Sequence, residues 1–227
     1  MTFVRLAGCN APQLGLDCTE WCDTPESWDR AAGEPMGTGD ILVRVHYPRL
    51  CLTGGEPLLQ LGGVAELVAA AQTGGTRVHL ETNGTVDPRP ALFSTAPSLL
   101  SDLLAVEAAG LSDWDDDLPG GMGGVWATVS PKPPDYVIDP GWRGLVDELK
   151  LIADERLDAA TAERLAAAFP EAIVSIQPQW ENLSLGAPLG AQGGAAQRQN
   201  VERAVTLVMT HPGWRLSLQT HKFLGIR

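Results

Sequence analysis

Short apolar runs, each followed by a glycine- or proline-marked break, recur along the chain. Thr2–Leu6, Arg49–Thr53, Arg77–Glu81, Trp126–Ser130, Glu148–Ile152, Ala172–Ile176 and Arg215–Leu218 have the length and β-branched or aliphatic content of strands. Between them, Val64–Gln72, Ala159–Ala168 and Gln197–Met209 space their apolar residues as helices do, and Asp40–His46 reads as a short helix. Strands alternating with helices predict a parallel sheet covered by helices, an α/β fold. Six or seven strands suit an incomplete, (β/α)6-type partial barrel better than the closed eight-fold form, which takes about 250 residues. Asp29–Gly39 and Ser112–Gly124 read as loops, Val86–Gly124 as an insertion between two core strands with a helix-like run over Ser98–Ala109, and Gly186–Gly194 as a mobile loop near the top of the barrel.

Composition narrows the class. At 227 residues and 44% hydrophobic, the chain can bury one substantial core, so a single domain over residues 1–227 is expected. No run of 18 apolar residues predicts a membrane span, and the first residues lack the features of a secretory signal. The formal net charge of −12 argues against a nucleic-acid surface. Four unevenly placed cysteines do not suggest a disulfide framework and fit a reducing cytoplasm.

Three of those cysteines, Cys9, Cys18 and Cys22, directly follow the first strand. Thiolates are soft ligands that suit zinc, copper(I) or iron–sulfur clusters. Three of them on a 4Fe–4S cluster leave one iron open to a substrate or cofactor. A zinc knuckle completed by His46, or unliganded buried thiols, are the other readings of the same residues. Cys51, on a predicted buried strand, reads as a small core residue.

The remaining candidates stand at strand ends. Thr53-Gly54-Gly55-Glu56-Pro57 suits a close backbone approach to a ligand or an ordinary strand-to-helix turn. Glu81-Thr82-Asn83 offers a carboxylate, a hydroxyl and an amide to polar ligand atoms, or a turn cap. Ser130-Pro131-Lys132-Pro133 supplies a donor and a point positive charge, or a proline-defined turn. Glu148 and Lys150 share one side of a strand by its two-residue period, as an inward polar pair or an exposed ion pair. Gln177 begins a loop or contacts a ligand.

Phe3-Val4-Arg5-Leu6-Ala7-Gly8-Cys9-Asn10, Trp21-Cys22-Asp23-Thr24-Pro25, the Gly-Gly-Glu-Pro text and the closing Gln219-Thr220-His221-Lys222-Phe223-Leu224-Gly225-Ile226-Arg227 resemble 7-carboxy-7-deazaguanine synthases. These form a small branch of the radical S-adenosylmethionine (SAM) superfamily. The spacing departs from the usual superfamily pattern: eight residues separate Cys9 from Cys18 and three separate Cys18 from Cys22. The chain also begins a strand and a Gln-Gly-Glu-Gly-like loop later than such proteins usually do, so an N-terminal strand and part of the pocket are expected to be missing or to lie upstream.

The resemblance implies conversion of 6-carboxy-5,6,7,8-tetrahydropterin to 7-carboxy-7-deazaguanine with loss of ammonia, through a 5′-deoxyadenosyl radical. It implies a 4Fe–4S cluster on Cys9, Cys18 and Cys22 and Mg²⁺ on Thr24. SAM would lie against Gly54, Gly55, Glu56, Thr82, Asn83, Ser130, Lys132 and Gln177. The pterin would meet Arg5, Glu81, His221 and Arg227 under the closing tail. A flavodoxin-like electron donor and a homodimer follow from the same resemblance. A glycyl-radical activating enzyme is a neighbouring alternative, and a non-catalytic zinc-binding module on Cys9, Cys18, Cys22 and His46 one from another class.

Overall fold

The computed structural model describes residues 1–89, 125–180, 195–220 and 222. Strand β1 (Thr2–Leu6) leads into a one-turn helix α1 (Ala11–Leu14), and α2 (Thr38–Leu42) precedes β2 (Arg49–Gly54). Helix α3 (Leu61–Thr73) then connects to β3 (Arg77–Thr82). After β4 (Val125–Val129) come β5 (Glu148–Ala153), α4 (Ala159–Ala168), β6 (Ile173–Pro178), α5 (Ala195–Thr210) and β7 (Arg215–Leu216). The seven strands form one sheet in sequence order, with every neighbouring pair parallel. The sheet is open, with β1 and β7 at its edges, so the incomplete-barrel expectation holds and the barrel is not closed.

Parallel register keeps side chains of one parity on one face across all strands. One parity is almost wholly aliphatic: Leu50 and Leu52, Val78 and Leu80, Ala127 and Val129, Leu149 and Leu151, Val174 and Ile176 are buried together. Against them pack Val64, Leu67, Val68 and Ala71 of α3, Ala162 and Leu165 of α4, and Ala204 and Leu207 of α5. The α3 set falls at the three- and four-residue steps of a single helical stripe. Asp158 caps α4, its carboxylate accepting from the Thr161 backbone N–H at 2.7 Å. The opposite parity carries Arg5, His79, Glu81, Thr128, Glu148 and Lys150, and none of these belongs to the core. The face turned away from the helices is therefore polar.

One connection is irregular, and the structure departs from expectation in two other places. The β4–β5 connection holds only a single 3-10 turn, Pro140–Trp142, where a regular β/α unit would place an α-helix. Trp142 fills that gap: it is fully buried, and its indole N–H donates to the Val86 carbonyl at 3.0 Å. The last strand ends at Leu216 instead of Leu218, because only Arg215 and Leu216 pair with β6 and the following leucine is exposed. The short helix lies at Thr38–Leu42, ahead of the expected Asp40–His46. The Ser98–Ala109 helix and the Gly186–Gly194 loop lie outside the described residues. No helix among the described residues is long and apolar enough to cross a membrane.

Leu151→Ala, at a position with no exposure, is expected to lower unfolding free energy by about 2–5 kcal/mol. Phe3→Ala, on the opposite parity and 66% exposed, is expected to change it by less than about 0.5 kcal/mol. Denaturant midpoints of the two variants measure the asymmetry between the faces.

Candidate cofactor and substrate site

The three-cysteine loop begins where β1 ends, and the end of β2 seats it. Gly55 N–H donates to the Leu6 carbonyl at 3.0 Å and Glu56 N–H to the Gly8 carbonyl at 2.8 Å. Side chains cannot fit there. A Cβ on Gly54 would stand 2.1 Å from the Leu6 carbonyl oxygen, and one on Gly55 2.3 Å from the Gly8 oxygen and 2.7 Å from the Cys9 Cβ. Gly8 itself turns the chain at a φ of +107°, a conformation suited to glycine. The glycines anticipated as a ligand's approach are thus first of all the approach of the cysteine loop.

Glu56, expected against the cofactor, has no exposed surface. Its carboxylate accepts from Leu58 N–H at 3.1 Å, from the Thr82 hydroxyl at 2.8 Å and from Asn83 N–H at 2.7 Å. Burial pushes this carboxyl above its ordinary range, and the three donors pull it back. The side chain ties the end of β2 to the end of β3. Thr82 also accepts from Gly84 N–H at 3.0 Å, so its hydroxyl serves the turn. The Asn83 amide oxygen accepts from Thr85 N–H and its hydroxyl, and its amide donates to Asn10 at 2.9 Å. Asn10 in turn donates to Thr85 at 2.8 Å. The turn-capping alternative for Thr82 and Asn83 is what the geometry displays, and it fastens the residue next to Cys9.

From β4, Asp17 N–H donates to the Pro133 carbonyl at 2.9 Å, and the Lys132 ammonium donates to the Ser130 hydroxyl at 2.6 Å. Lys132 lies 6.0 Å from the centre of the Trp21 ring. Burial pushes its ammonium down to about 8. Burial also pushes the Cys18 thiol up to about 11 and raises that of Cys9, while the Lys132 charge acts in the opposite sense on both. Cys22 receives an N–H from the Trp28 indole at 3.3 Å and has the Thr24 hydroxyl 3.7 Å away. Cys51 is a small buried residue, as expected, 1% exposed on the parity of Phe3 and His79, and burial pushes its thiol to about 12.

Thr24 and Arg5 come together. An Arg5 guanidinium nitrogen lies 3.4 Å from the Thr24 hydroxyl and 3.4 Å from the Gly54 carbonyl. Lower on the polar face, Lys150 reaches across β4 to Glu81 at 3.0 Å; burial alone would raise that carboxyl, but the Lys150 charge and hydrogen bond, with His79 and Lys132, together hold it below its usual range. Thr128 donates to Glu148 at 3.0 Å and pairs with His79 at 2.8 Å. Glu148 and Lys150 therefore form the inward polar set, Glu148 with a partner on the neighbouring β4 and Lys150 with one two strands away on β3. Gln177 is half-buried on β6.

The chain end returns to this loop. Lys222 donates to the Asp23 carboxylate at 2.6 Å and Gln219 to the same oxygen at 3.4 Å. Burial alone would raise the Asp23 carboxyl, but these contacts outweigh it and hold it low. His221 and Arg227, the expected tail contacts, lie outside the described residues. Sequence reasoning missed Asn10, Asp23 and Arg156; the first two flank cysteines, a hint of role, whereas nothing local marks Arg156.

Which metal group fits can be judged from the donors. Three thiols project from one loop, and the Trp21 indole N–H beside Cys22 is buried with no acceptor among the described residues. An orphaned donor next to soft ligands suits a group that brings its own acceptors, as the sulfides of a cluster do. Among the described residues no three histidine, cysteine or acidic side chains stand close enough to hold a single metal ion. His46 is exposed beyond α2. The cluster reading fits this site, and the zinc knuckle does not.

The chain is 30% identical, over 99% of its length, to a 7-carboxy-7-deazaguanine synthase of Synechocystis, 83% of which is covered. The Caulobacter vibrioides protein of the same name is 32% identical over 99% of the chain and 88% of its own length. This chain belongs to the 7-carboxy-7-deazaguanine synthase family. Among solved structures, QueE from Escherichia coli matches with a TM-score of 0.59 at 19% identity, covering 96% of this chain and 84% of that one, a likeness of fold. No protein-family model matches.

Gly55→Ala is expected to cost about 1–3 kcal/mol of stability, because backbone and not a flexible side chain must yield. It should also lower iron uptake, read as iron per chain after anaerobic reconstitution. Asp23→Asn should cost no more than about 1 kcal/mol, its partner contact being partly solvated. Hydrogen exchange at residues 219–222 should rise in that variant, and unchanged protection there would contradict the tail contact.

Proposed function

We propose that this protein is a radical SAM 7-carboxy-7-deazaguanine synthase that converts 6-carboxy-5,6,7,8-tetrahydropterin to 7-carboxy-7-deazaguanine with loss of ammonia. The observation that carries the reading is the three-thiol loop, seated by Gly54 and Gly55 at the carboxyl end of a parallel sheet whose helix-free face is polar. Ligands of open parallel sheets bind at that end. Cys9, Cys18 and Cys22 would hold a 4Fe–4S cluster, whose chemistry with SAM would be the source of the radical. When bound, cluster and SAM supply one-electron reductive cleavage and hydrogen-atom abstraction, which no side chain here can perform.

The chain's own residues bind, orient and balance charge. Lys132, held by Ser130, presents its ammonium between the cysteine loop and the polar face, where a SAM carboxylate would meet it. The Gly54–Gly55 backbone and Gln177 border the rest of SAM. Glu56, Thr82 and Asn83 brace that wall from behind. Thr24 supplies a hard oxygen for Mg²⁺, and Arg5 beside it a guanidinium for the substrate carboxylate. Glu81, with its charge maintained by Lys150, accepts N–H groups of the pterin's amino-pyrimidinone edge. His221 and Arg227 close over the pterin from the tail, an arrangement supported by the Lys222 and Gln219 contacts to Asp23.

The chain acts as one domain over residues 1–227 with an insertion at 86–124, in the cytoplasm, as a homodimer fed electrons by a flavodoxin-like protein. Family resemblance supports the last three, and size-exclusion mass with reductase pairing tests them.

Anaerobically reconstituted protein, given SAM, a reductant, Mg²⁺ and the tetrahydropterin, should yield 7-carboxy-7-deazaguanine by mass spectrometry. Cys22→Ala should abolish it. Thr24→Ala should raise the Mg²⁺ concentration for half-maximal rate about tenfold, the loss of one charge-assisted oxygen contact. SAM cleavage without that product would overturn the substrate and favour a glycyl-radical activating enzyme.

A further inference from the structure

We infer that Arg156 positions Cys18 for the cluster, by clamping the long segment between Cys9 and Cys22 to the carboxyl end of β5. The inference rests on the cluster reading above. Cys18 sits inside the 3-10 turn Asp17–Glu20, and Arg156 grips both ends of that turn. Its Nε lies 3.0 Å from the Asp17 carboxylate and its Nη2 2.6 Å from that of Glu20. The third nitrogen, Nη1, faces Asp154 at 3.4 Å. One planar guanidinium thus joins three carboxylates, a geometry that an ammonium cannot reproduce.

The anchor behind the clamp is rigid. The Asp154 side chain is buried and accepts from Arg156 N–H at 2.9 Å and Leu157 N–H at 3.2 Å, which closes the turn after β5. Arg203 of α5 donates to the Asp154 carbonyl at 2.6 Å and fixes the turn to a core helix. The other partner is the loop. Eight residues separate Cys9 from Cys18, and a longer excursion costs more to hold in one conformation. Within the loop, the 3-10 turn is otherwise held by Asp17 N–H on Pro133 and by the Thr19 hydroxyl on Leu16. Cys9 is fastened through Gly8, Gly55 and Asn10, and Cys22 through Trp28 and the Asp23 contacts. Arg156 is the corresponding side-chain fastener for Cys18, reaching the end of its turn at Glu20 from 136 residues away in sequence.

The test uses the full chain, reconstituted anaerobically, with Arg156→Lys, Arg156→Met, Glu20→Gln and an Asp17→Asn/Glu20→Gln pair. Readouts are iron and sulfide per chain, the rate at which an iron chelator bleaches the cluster absorbance, and the melting temperature of the metal-free protein. Arg156→Met and the carboxamide pair should lose the cluster about tenfold faster than wild type, with Arg156→Lys between. The metal-free melting temperatures should stay together, and adding Arg156→Met to the carboxamide pair should bring no further loss. Equal cluster retention in all variants overturns the inference. So does a parallel fall in metal-free melting temperature for Arg156→Met and for Glu20→Gln, whose exposed carboxylate lies outside the core. A wild-type chain that takes up no cluster overturns the functional reading and this one with it; loading in wild type and variants alike overturns this one alone.

Discussion

Everything near the candidate site depends on one backbone approach, that of Leu6–Cys9 onto Gly54-Gly55. Parallel strands β1 and β2 bring their carboxyl ends level, and the absence of two Cβ atoms lets the chain leaving β1 cross over the end of β2. The two hydrogen bonds formed there fix the origin of the cysteine loop in the frame of the sheet. Glu56, the next residue, turns inward and spends its carboxylate on the end of β3. Burying that group unpaired would cost several kcal/mol, so the three donors are as necessary as the glycines.

From this origin the loop is fastened to successive strand ends. Asn10 reaches the β3 turn, Asp17 the β4 turn, Asp17 and Glu20 the Arg156 side chain of the β5 turn, and the residues after β7 return to Asp23. Short apolar strands supply a rigid row of anchors; the loop supplies polar groups at matching intervals. The division of labour follows from the parity of the sheet. Aliphatic residues on one face commit it to the helices, leaving the other face and the strand ends free for polar contacts.

Much of this was legible in the sequence. Leucine and valine runs such as Leu50–Leu52 and Leu149–Ile152 mark strands because a parallel sheet buries them, and α3 and α4 declare themselves by helical spacing. The β4–β5 link reads in the sequence as two strands with no helix between them, as it is; what was not legible is that a buried tryptophan fills the gap, because spacing rules do not describe a single side chain doing so. At the site, the residue types were legible and their duties less so. Glu56, Thr82 and Asn83 lie where ligand contacts were expected, yet their polar atoms are engaged by one another and by neighbouring backbone and side chains, a fact that depends on the distance between strand ends. Arg156 carries no local signal at all, since its partners belong to a loop far away in sequence.

Charge arrangement gives the site its direction. Most cations nearby have anionic partners: Lys150 with Glu81, Lys222 with Asp23, Arg156 with its three carboxylates. Lys132 instead takes a neutral partner, the Ser130 hydroxyl, and lies against an aromatic ring. A half-buried ammonium without a carboxylate beside it is costly, and the fall of its proton affinity to about 8 expresses that cost. The cost is recovered when an anion arrives. Negative charge brought to this end of the sheet would find the Lys132 ammonium already in place. The chain thus keeps, after β4 and against the cysteine loop, an ammonium matched by a hydroxyl and an aromatic ring instead of a carboxylate among the described residues.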